Sequence, residues 1–479
     1  MNIPKPSFTD LSAYDLFAGA GGFSLGLEAA GFDLLGAVEC DPVAARTLET
    51  NFGIRPLDFT GPEEGDIRSI TNDKILKRID DEEVGEIDLL IASPPCQGFS
   101  KIGRGKLDFL ASKRGAFIND DRNNLYKQAI RLLKILQPRV FLFENVTGIL
   151  HLRGRNVAED VCNAVSEAGY IPKCTILNSA WYGVPQVRER VIIMGVRQDL
   201  NLLPVFPNKQ FHSVHNTGTY SGTKPDLKIW RNLDFYVDPR TIGSDFPVRT
   251  AVSVRDAFDD LPEFKEHLHA LKNNLKYRSF RACFHPVDYV RAPRNWFCKM
   301  MRDWNNRHKS DQVTDHFCRW NPRDFRIFAE MKPDDKYPQA LEVANRLYEE
   351  ACVVWPKEGL PSPVRINYIP PYSPDSFEEK WRKLIPDQPS WTLTAHLSKD
   401  TYSHIHFDSN QARTITIREA ARIQSFPDSY QLEGNTGDAF RQIGNAVPPL
   451  MAKAIGECVM SILSKADTRT KSISMQRAV

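Results

Sequence analysis

The chain lacks most of the features that mark specialised protein classes. Its 479 residues include nine cysteines and no C-x-x-C pair, which argues against a disulfide framework or a zinc ribbon and leaves most thiols reduced and buried. No apolar run approaches the 18 residues needed to cross a bilayer, and the start, MNIPKPSFTDLSAYDLF, has neither the basic nor the apolar region of a signal peptide. A cytoplasmic protein without membrane contact is expected. An excess of one charge is missing too: 62 Lys and Arg against 60 Asp and Glu leave a net +2, so any polyanion-binding surface must come from local clustering. The stretch 265–326 supplies a cluster, with 14 basic against 6 acidic residues, interleaved with Tyr277, Trp296, Trp304 and Trp320. That mixture suits phosphates and bases, or equally a solvated basic face over a Trp core.

What remains is an ordinary globular composition, 42% hydrophobic and 25% charged, in a chain long enough for two or three domains. From residue 12 to about 196, short apolar runs alternate with amphipathic segments. The runs AYDLFAG, LLGAVE, DLLIASPP, VFLFENV, YIPKCTILNS and RVIIMGV read as strands, and NNLYKQAIRLLKIL as an intervening helix. The fold class expected is a doubly wound, mostly parallel, Rossmann-like α/β sheet. Regular alternation stops near residue 199, so residues 1–199 are read as one part and 200–410 as a second, irregular domain. Helical patterns return over 411–466 before a polar tail, 467–479.

Two strand ends carry chemistry. DLFAGAGGFSLGLEAAGF places Gly19, Gly21 and Gly22 between a strand and a helix, where backbone can approach a ligand at the helix N-terminus, although such glycines also serve plain reversals. Glu39 closes the next strand about 20 residues on, in reach of ribose hydroxyls, with Asp41 and Asp66 at neighbouring ends. The strict G-x-G-x-x-G fingerprint is absent, which favours an adenosyl methyl donor over a dinucleotide. SPPCQGFS presents Cys96 behind two prolines as a candidate nucleophile, VFLFENV brings Glu144 and Asn145 to the same sheet edge, and QVRER adds Arg188 and Arg190 before another strand. Each has a bland counterpart: a loop thiol, a solvated acid, a surface ion pair.

Taken together, DLFAGAGGFSLG, VECDP, GDI, PPCQGFS, ENV, QVRER, REAARIQSFPD and QIGNAVPP occur in this order, and in this the sequence resembles the DNA (cytosine-5) methyltransferases of bacterial restriction-modification systems. The resemblance spans residues 15–96, 144–190 and about 413–456. It implies S-adenosylmethionine as cofactor, leaving as S-adenosylhomocysteine, with Phe17, Gly19, Gly21, Glu39, Asp66, Ile67, Pro95, Leu125, Asn445 and Val447 around it. It also implies Cys96, Glu144 and Arg190 as the catalytic set, Arg188 in support, and a target-recognition domain between about 200 and 390. QIGNAVPP would fold back beside the first helix, making the catalytic domain discontinuous, and the 97–124 loop would close over DNA.

On that reading Cys96 adds to carbon 6 of a flipped-out cytosine in double-stranded DNA and carbon 5 takes the methyl group. A monomer on DNA, with a cognate restriction endonuclease acting separately, is the expected arrangement, and no metal is expected. Cys283, His285, Cys298, His316 and Cys318 are too tightly spaced for ligand pairs. PSWTLTAHLSKD, with Thr392, Thr394 and His396, either touches DNA or returns the chain to the sheet. A tRNA cytosine-5 methyltransferase, a catalytically silent DNA-binding relative and a small-molecule methyltransferase remain alternatives. The first is disfavoured by the large 200–410 region, the second by the intact PPC and ENV, and the third by PPC, ENV and QVRER occurring together.

Overall fold

The computed structural model describes residues 11–95, 125–152, 154–212, 230–243, 249–273, 286–306, 308–358, 362–373, 375, 380–397 and 402–477. They form two compact units, residues 1–250 with 446–479, and residues 251–445.

The first unit is built on a seven-stranded sheet in the order β3-β2-β1-β4-β5-β8-β6. Its strands are β1 (Ser12–Leu16), β2 (Asp33–Glu39), β3 (Phe59–Thr60), β4 (Leu89–Ala92), β5 (Val140–Asn145), β6 (Tyr170–Asn178) and β8 (Glu189–Arg197), with a short β7 (Gln186–Val187) just before β8. Every residue of β4 and β5 is buried, as expected for strands covered by helices on both faces. β1 to β5 pair in parallel, and the chain crosses from β3 to β4 so that β1 and β4 are neighbours. That is the topological switch point, where crevices open at the carboxyl ends of strands. The glycine turn follows β1 and the Ser93-Pro94-Pro95 turn follows β4, so both leave the sheet there, and Ser93 N donates to Leu16 O at 3.2 Å.

The six strands read from sequence are present, and the two-residue β3 was not anticipated. One strand runs the other way: β8 is antiparallel to both its neighbours, β5 and β6, so that β6 is again parallel to β5. The edge strand β6 does not end the layer. Val237 N donates to Cys174 O at 2.8 Å, Thr175 Oγ1 to Val237 O at 2.8 Å, and Glu159 accepts from Arg231 N and Asn232 N at 2.7 Å each. Residues 230–237 therefore cover an edge that would otherwise invite pairing with another chain, and the first unit runs to residue 250, past the boundary expected at 199.

The chain also returns later than expected. Residues 411–445 belong to the second unit, because the helix Ile417–Ile423 is locked there by buried arginines. Arg413 makes a two-pronged pair with Glu419 (2.7 and 2.6 Å), and Arg422 does the same with Asp428 (2.9 and 2.6 Å) while also donating to Ala257 O at 2.8 Å. Arg418 donates to Thr314 O and Pro427 O. These guanidiniums are at most 1% exposed; a cation so buried needs every donor answered, which fixes the packing around it. The second unit's apolar core gathers Phe328, Tyr337, Trp381 and Tyr402. Trp304 is buried and Trp320 packs edge-on to Phe325, while Trp296 is half-exposed and Tyr277 lies outside the described residues. The basic stretch therefore does not present its tryptophans as a row of stacking surfaces.

From residue 446 the chain rejoins the first unit. The helix Pro449–Arg477 lies against the first helix, Gly22–Ala30, and a Cβ placed on Gly26 would sit 2.4 Å from Ala452 Cβ and 2.5 Å from Pro449 O. The stretch 436–468 is long and apolar enough by composition to cross a membrane, yet Met451, Ile455, Val459 and Leu463, one turn apart, are fully buried core residues. Gly26→Ala should therefore destabilise the protein by about 1–3 kcal/mol through overpacking. Gly85→Ala, where a Cβ meets nothing within 4 Å, should not. Urea unfolding of the two variants checks this, and equal midpoints would contradict it.

Candidate active site

At the end of β1 the backbone turns through three left-handed residues, Phe17 (φ 63°), Gly19 (φ 58°) and Gly21 (φ 70°), before the first helix starts with no side-chain cap. Phe17 is a non-glycine residue in a region that costs of order 1 kcal/mol or more, a kind of strain concentrated at functional sites. Glu39, at the end of β2, holds this turn: its carboxylate accepts from Gly19 N at 2.8 Å and from Asp41 N at 2.7 Å. Gly65 packs so tightly on β2 that a Cβ there would lie 2.0 Å from Glu39 O, which brings Asp66 and Ile67 beside Glu39. Asp66 is clamped by Arg68 (2.9 and 2.6 Å), which holds its carboxyl below the usual range. Ile67 is buried, and its carbonyl accepts from Arg131 of the helix Tyr126–Leu136 at 3.3 Å. Leu125 precedes that helix and packs against the sheet's core.

Val447 is buried two residues before the helix Pro449–Arg477. Phe17, Gly19, Gly21, Glu39, Asp66, Ile67, Pro95, Leu125 and Val447 all belong to the first unit. Asn445 ends the helix Thr436–Asn445 of the second unit. Near it, Gly444 touches the Thr394–Ala395 backbone, 2.4 Å from a notional Cβ, so this part of PSWTLTAHLSKD serves packing.

Asp15, inside β1, was not singled out from sequence. It is fully buried; Oδ2 accepts from Ser24 Oγ at 2.7 Å and Oδ1 has no hydrogen-bond partner. Burial pushes its carboxyl up to about 7, and Glu39 is raised by burial as well. Two acids that pay for burial, with one oxygen unanswered, suit a ligand carrying positive charge. S-adenosylmethionine, with its sulfonium and ammonium groups and ribose, meets that chemistry. The signal in the sequence was an acid interrupting the apolar run AYDLF.

The second cluster depends on strand direction. Because β8 is antiparallel, its amino end lies at the carboxyl end of β5, pairing Asn145 with Val191 and Glu144 with Ile192. Arg190 Nε thereby reaches Glu144 Oε1 at 2.8 Å, with both side chains about nine-tenths buried. Burial raises the Glu144 carboxyl above its ordinary range, and Arg190 and then Arg188 oppose the shift. Arg188 is buried too, and its carbonyl accepts from Ser179 N at 3.0 Å. Asn145 Nδ2 donates to Pro94 O at 3.2 Å, tying the proline turn after β4 to the end of β5. Cys96 and the 97–124 loop lie outside the described residues, as do Cys283 and His285. His316 bonds Thr416 Oγ1 and Pro262 O, and the Cys298 and Cys318 thiols donate to backbone carbonyls.

A model of the C-5 cytosine-specific DNA methylase family matches residues 11–461. A relative from Oceanobacillus iheyensis, named as a type II methyltransferase, is 36% identical over 454 residues, 93% of this chain and 94% of its own. A type II methyltransferase of Xanthomonas oryzae is 30% identical over 458 residues, 94% of this chain and 85% of its own. Among solved structures, one described as a DNA modification methyltransferase encoded within an E. coli prophage has a TM-score of 0.62 at 23% identity, over 95% of this chain and 100% of the other. At that identity the likeness bears on fold alone.

A carboxyl whose pKa rises on folding binds a proton more tightly in the native state, so the ligand-free protein should lose stability as pH rises from about 4 to about 7, where Asp15 must ionise in place. Asp15→Asn should flatten that dependence and gain on the order of 1–3 kcal/mol at pH 8, while weakening S-adenosylmethionine at least tenfold. Thermal melts at pH 5 and 8 with titration calorimetry read both. A variant with unchanged cofactor affinity would remove Asp15 from the site.

Proposed function

Because the chain belongs to the C-5 cytosine-specific DNA methylase family, we propose that it methylates carbon 5 of a flipped-out cytosine in double-stranded DNA through a covalent bond from Cys96 to carbon 6. The observation that carries this reading is the buried Glu144–Arg190 pair, 2.8 Å apart, beside the Asn145 hydrogen bond to Pro94 O. Cys96 is two residues beyond Pro94, so the chain leading to the thiol starts at the carboxyl that would hold the base.

In this mechanism an electron pair of the Cys96 thiolate forms the bond to carbon 6, and the displaced π pair of the carbon 5–carbon 6 bond shifts into the ring and makes carbon 5 nucleophilic. Glu144, whose carboxyl burial raises above its ordinary range, holds or shares a proton with ring nitrogen 3 and offsets the charge that develops there, while its other oxygen stays on Arg190. Arg190 also offers donors to the carbonyl at carbon 2, with Arg188 adding positive potential. The β1 turn, Asp15, Glu39 and Asp66 would hold S-adenosylmethionine, which would supply an electrophilic methyl group to carbon 5, with S-adenosylhomocysteine as the product. A base then removes the carbon-5 proton, the carbon–sulfur bond breaks, and the thiolate and the aromatic ring are restored. Extracting the base costs a few kcal/mol, repaid by binding.

We read the first unit as catalytic and the second as target-recognising. The enzyme would act as a monomer on DNA in the cytoplasm, with a restriction endonuclease as its separate counterpart. The relatives named as type II methyltransferases support DNA over tRNA as substrate. The presence of Cys96, Glu144 and Arg190 supports an active enzyme over a silent binder.

Glu144→Gln keeps size but cannot shuttle a proton, and is expected to lower kcat for methyl transfer to unmethylated duplex DNA by at least 100-fold with cofactor affinity unchanged. Transfer of labelled methyl groups, run beside tRNA, measures it. Incorporation into tRNA and none into DNA would overturn the substrate; a fully active variant would overturn the role of Glu144.

A further inference from the structure

Most arginines of the second unit are spoken for. Arg255 pairs with Asp387, Arg302 with Asp260, Arg346 with Glu330 and Glu350, and Arg382 with Asp334, besides the buried Arg413, Arg418 and Arg422. Arg326 and Arg365 are exposed and form no ion pair among the described residues. Arg326 lines a groove of about 560 Å³ between the helix Asp324–Glu330, the helix Tyr337–Glu358 and residues 362–368, and Arg365 lies on the last of these segments, between the lining residues Val364 and Ile366.

No acidic residue lines this groove, while Arg323, Arg326, Ser362 and Asn367 do. Its walls are rigid: Tyr348 and Tyr368 have ring centroids 5.8 Å apart, and Ile369 N donates to Arg365 O at 2.9 Å. Val364 and Ile366 stand 56% and 61% exposed on one rim. Two turns beyond Leu347, which lines the groove, the helix carries the half-exposed Trp355. Arg323 is paired with Asp324; the Arg326 guanidinium, the Ser362 hydroxyl and Asn367 amide, exposed apolar side chains and a nearby tryptophan match a polyanion that also offers apolar faces.

We propose that this groove grips the backbone of the DNA substrate, with Arg326 and Arg365 meeting phosphates. The inference rests on the DNA reading above and assigns the contact surface to residues 322–326, the end of the basic stretch 265–326, and to residues 362–368. Lysine and arginine contacts to phosphate release counterions, so each adds about 0.9 to the slope of log affinity against log salt.

The test compares the full-length protein with the double variant R326A/R365A, both substitutions being at exposed positions. Binding to a fluorescent unmethylated duplex of random sequence is measured by anisotropy over a range of salt, with S-adenosylmethionine calorimetry as the control for folding. The expected result is an affinity lower by about tenfold or more and a salt slope reduced by about 2, at unchanged cofactor affinity. Wild-type binding with an unaltered variant overturns the groove alone, as does an affinity loss with the wild-type salt slope. If the wild-type protein binds no duplex DNA, the methylation reading falls and the groove with it.

Discussion

The antiparallel pairing of β8 with β5 is the constraint on which the reactive site depends. In an all-parallel sheet the amino end of β8 would lie at the opposite edge from Glu144, a strand length of roughly 20–30 Å away. Reversal of one strand brings Arg190 to 2.8 Å from the carboxyl. Out of water, each side chain depends on the other as its hydrogen-bond partner, and together they make a fixed donor and acceptor aimed at one place. The same edge receives the β1 glycine turn and the β4 proline turn, because β1 and β4 flank the switch point. The segments proposed to hold the cofactor and the nucleophile are thus neighbours through topology, although Gly19 and Cys96 are 77 positions apart in sequence.

Buried charge plays a second role in the other unit. Arg413, Arg418 and Arg422 lie within ten residues of one another and bind carboxylates or carbonyls drawn from residues 257–260, 314, 419 and 427–428. Replacing such a network by apolar residues is often neutral for stability, but breaking one member is not. Its effect is to specify which segments meet, so that chain separated by more than 150 residues, Ala257 and Arg422, converges on one short helix.

Much of this was legible in the sequence. Alternating apolar runs gave the six longer strands, and strand-end glycines, acids and the PPC, ENV and QVRER segments marked the residues that the first unit gathers. Strand direction was not legible, since RVIIMGV has the same apolar pattern either way and only the pairing partner decides. The limits of the two compact units were not legible for a related reason. REAARIQSF reads as an ordinary amphipathic helix, and nothing local announces that its arginines are core residues of the second unit rather than the solvated face of a returning helix. Likewise LDFYV gave no sign that it would cover the edge of β6. Asp15 went unnoticed because an acid inside a buried strand counts against the strand pattern unless a ligand is there to meet it.

The central claim is that Cys96 attacks a cytosine held at the Glu144–Arg190 edge. It is tested most directly by incubating the protein with S-adenosylmethionine and duplex DNA carrying 5-fluorocytosine, whose fluorine blocks the final elimination, beside a Cys96→Ser control. The account predicts a denaturation-resistant protein–DNA adduct that requires both the cofactor and Cys96, with the DNA cross-linked at that residue by peptide mapping. An adduct formed equally well by Cys96→Ser, or none with DNA that the enzyme otherwise methylates, would contradict it.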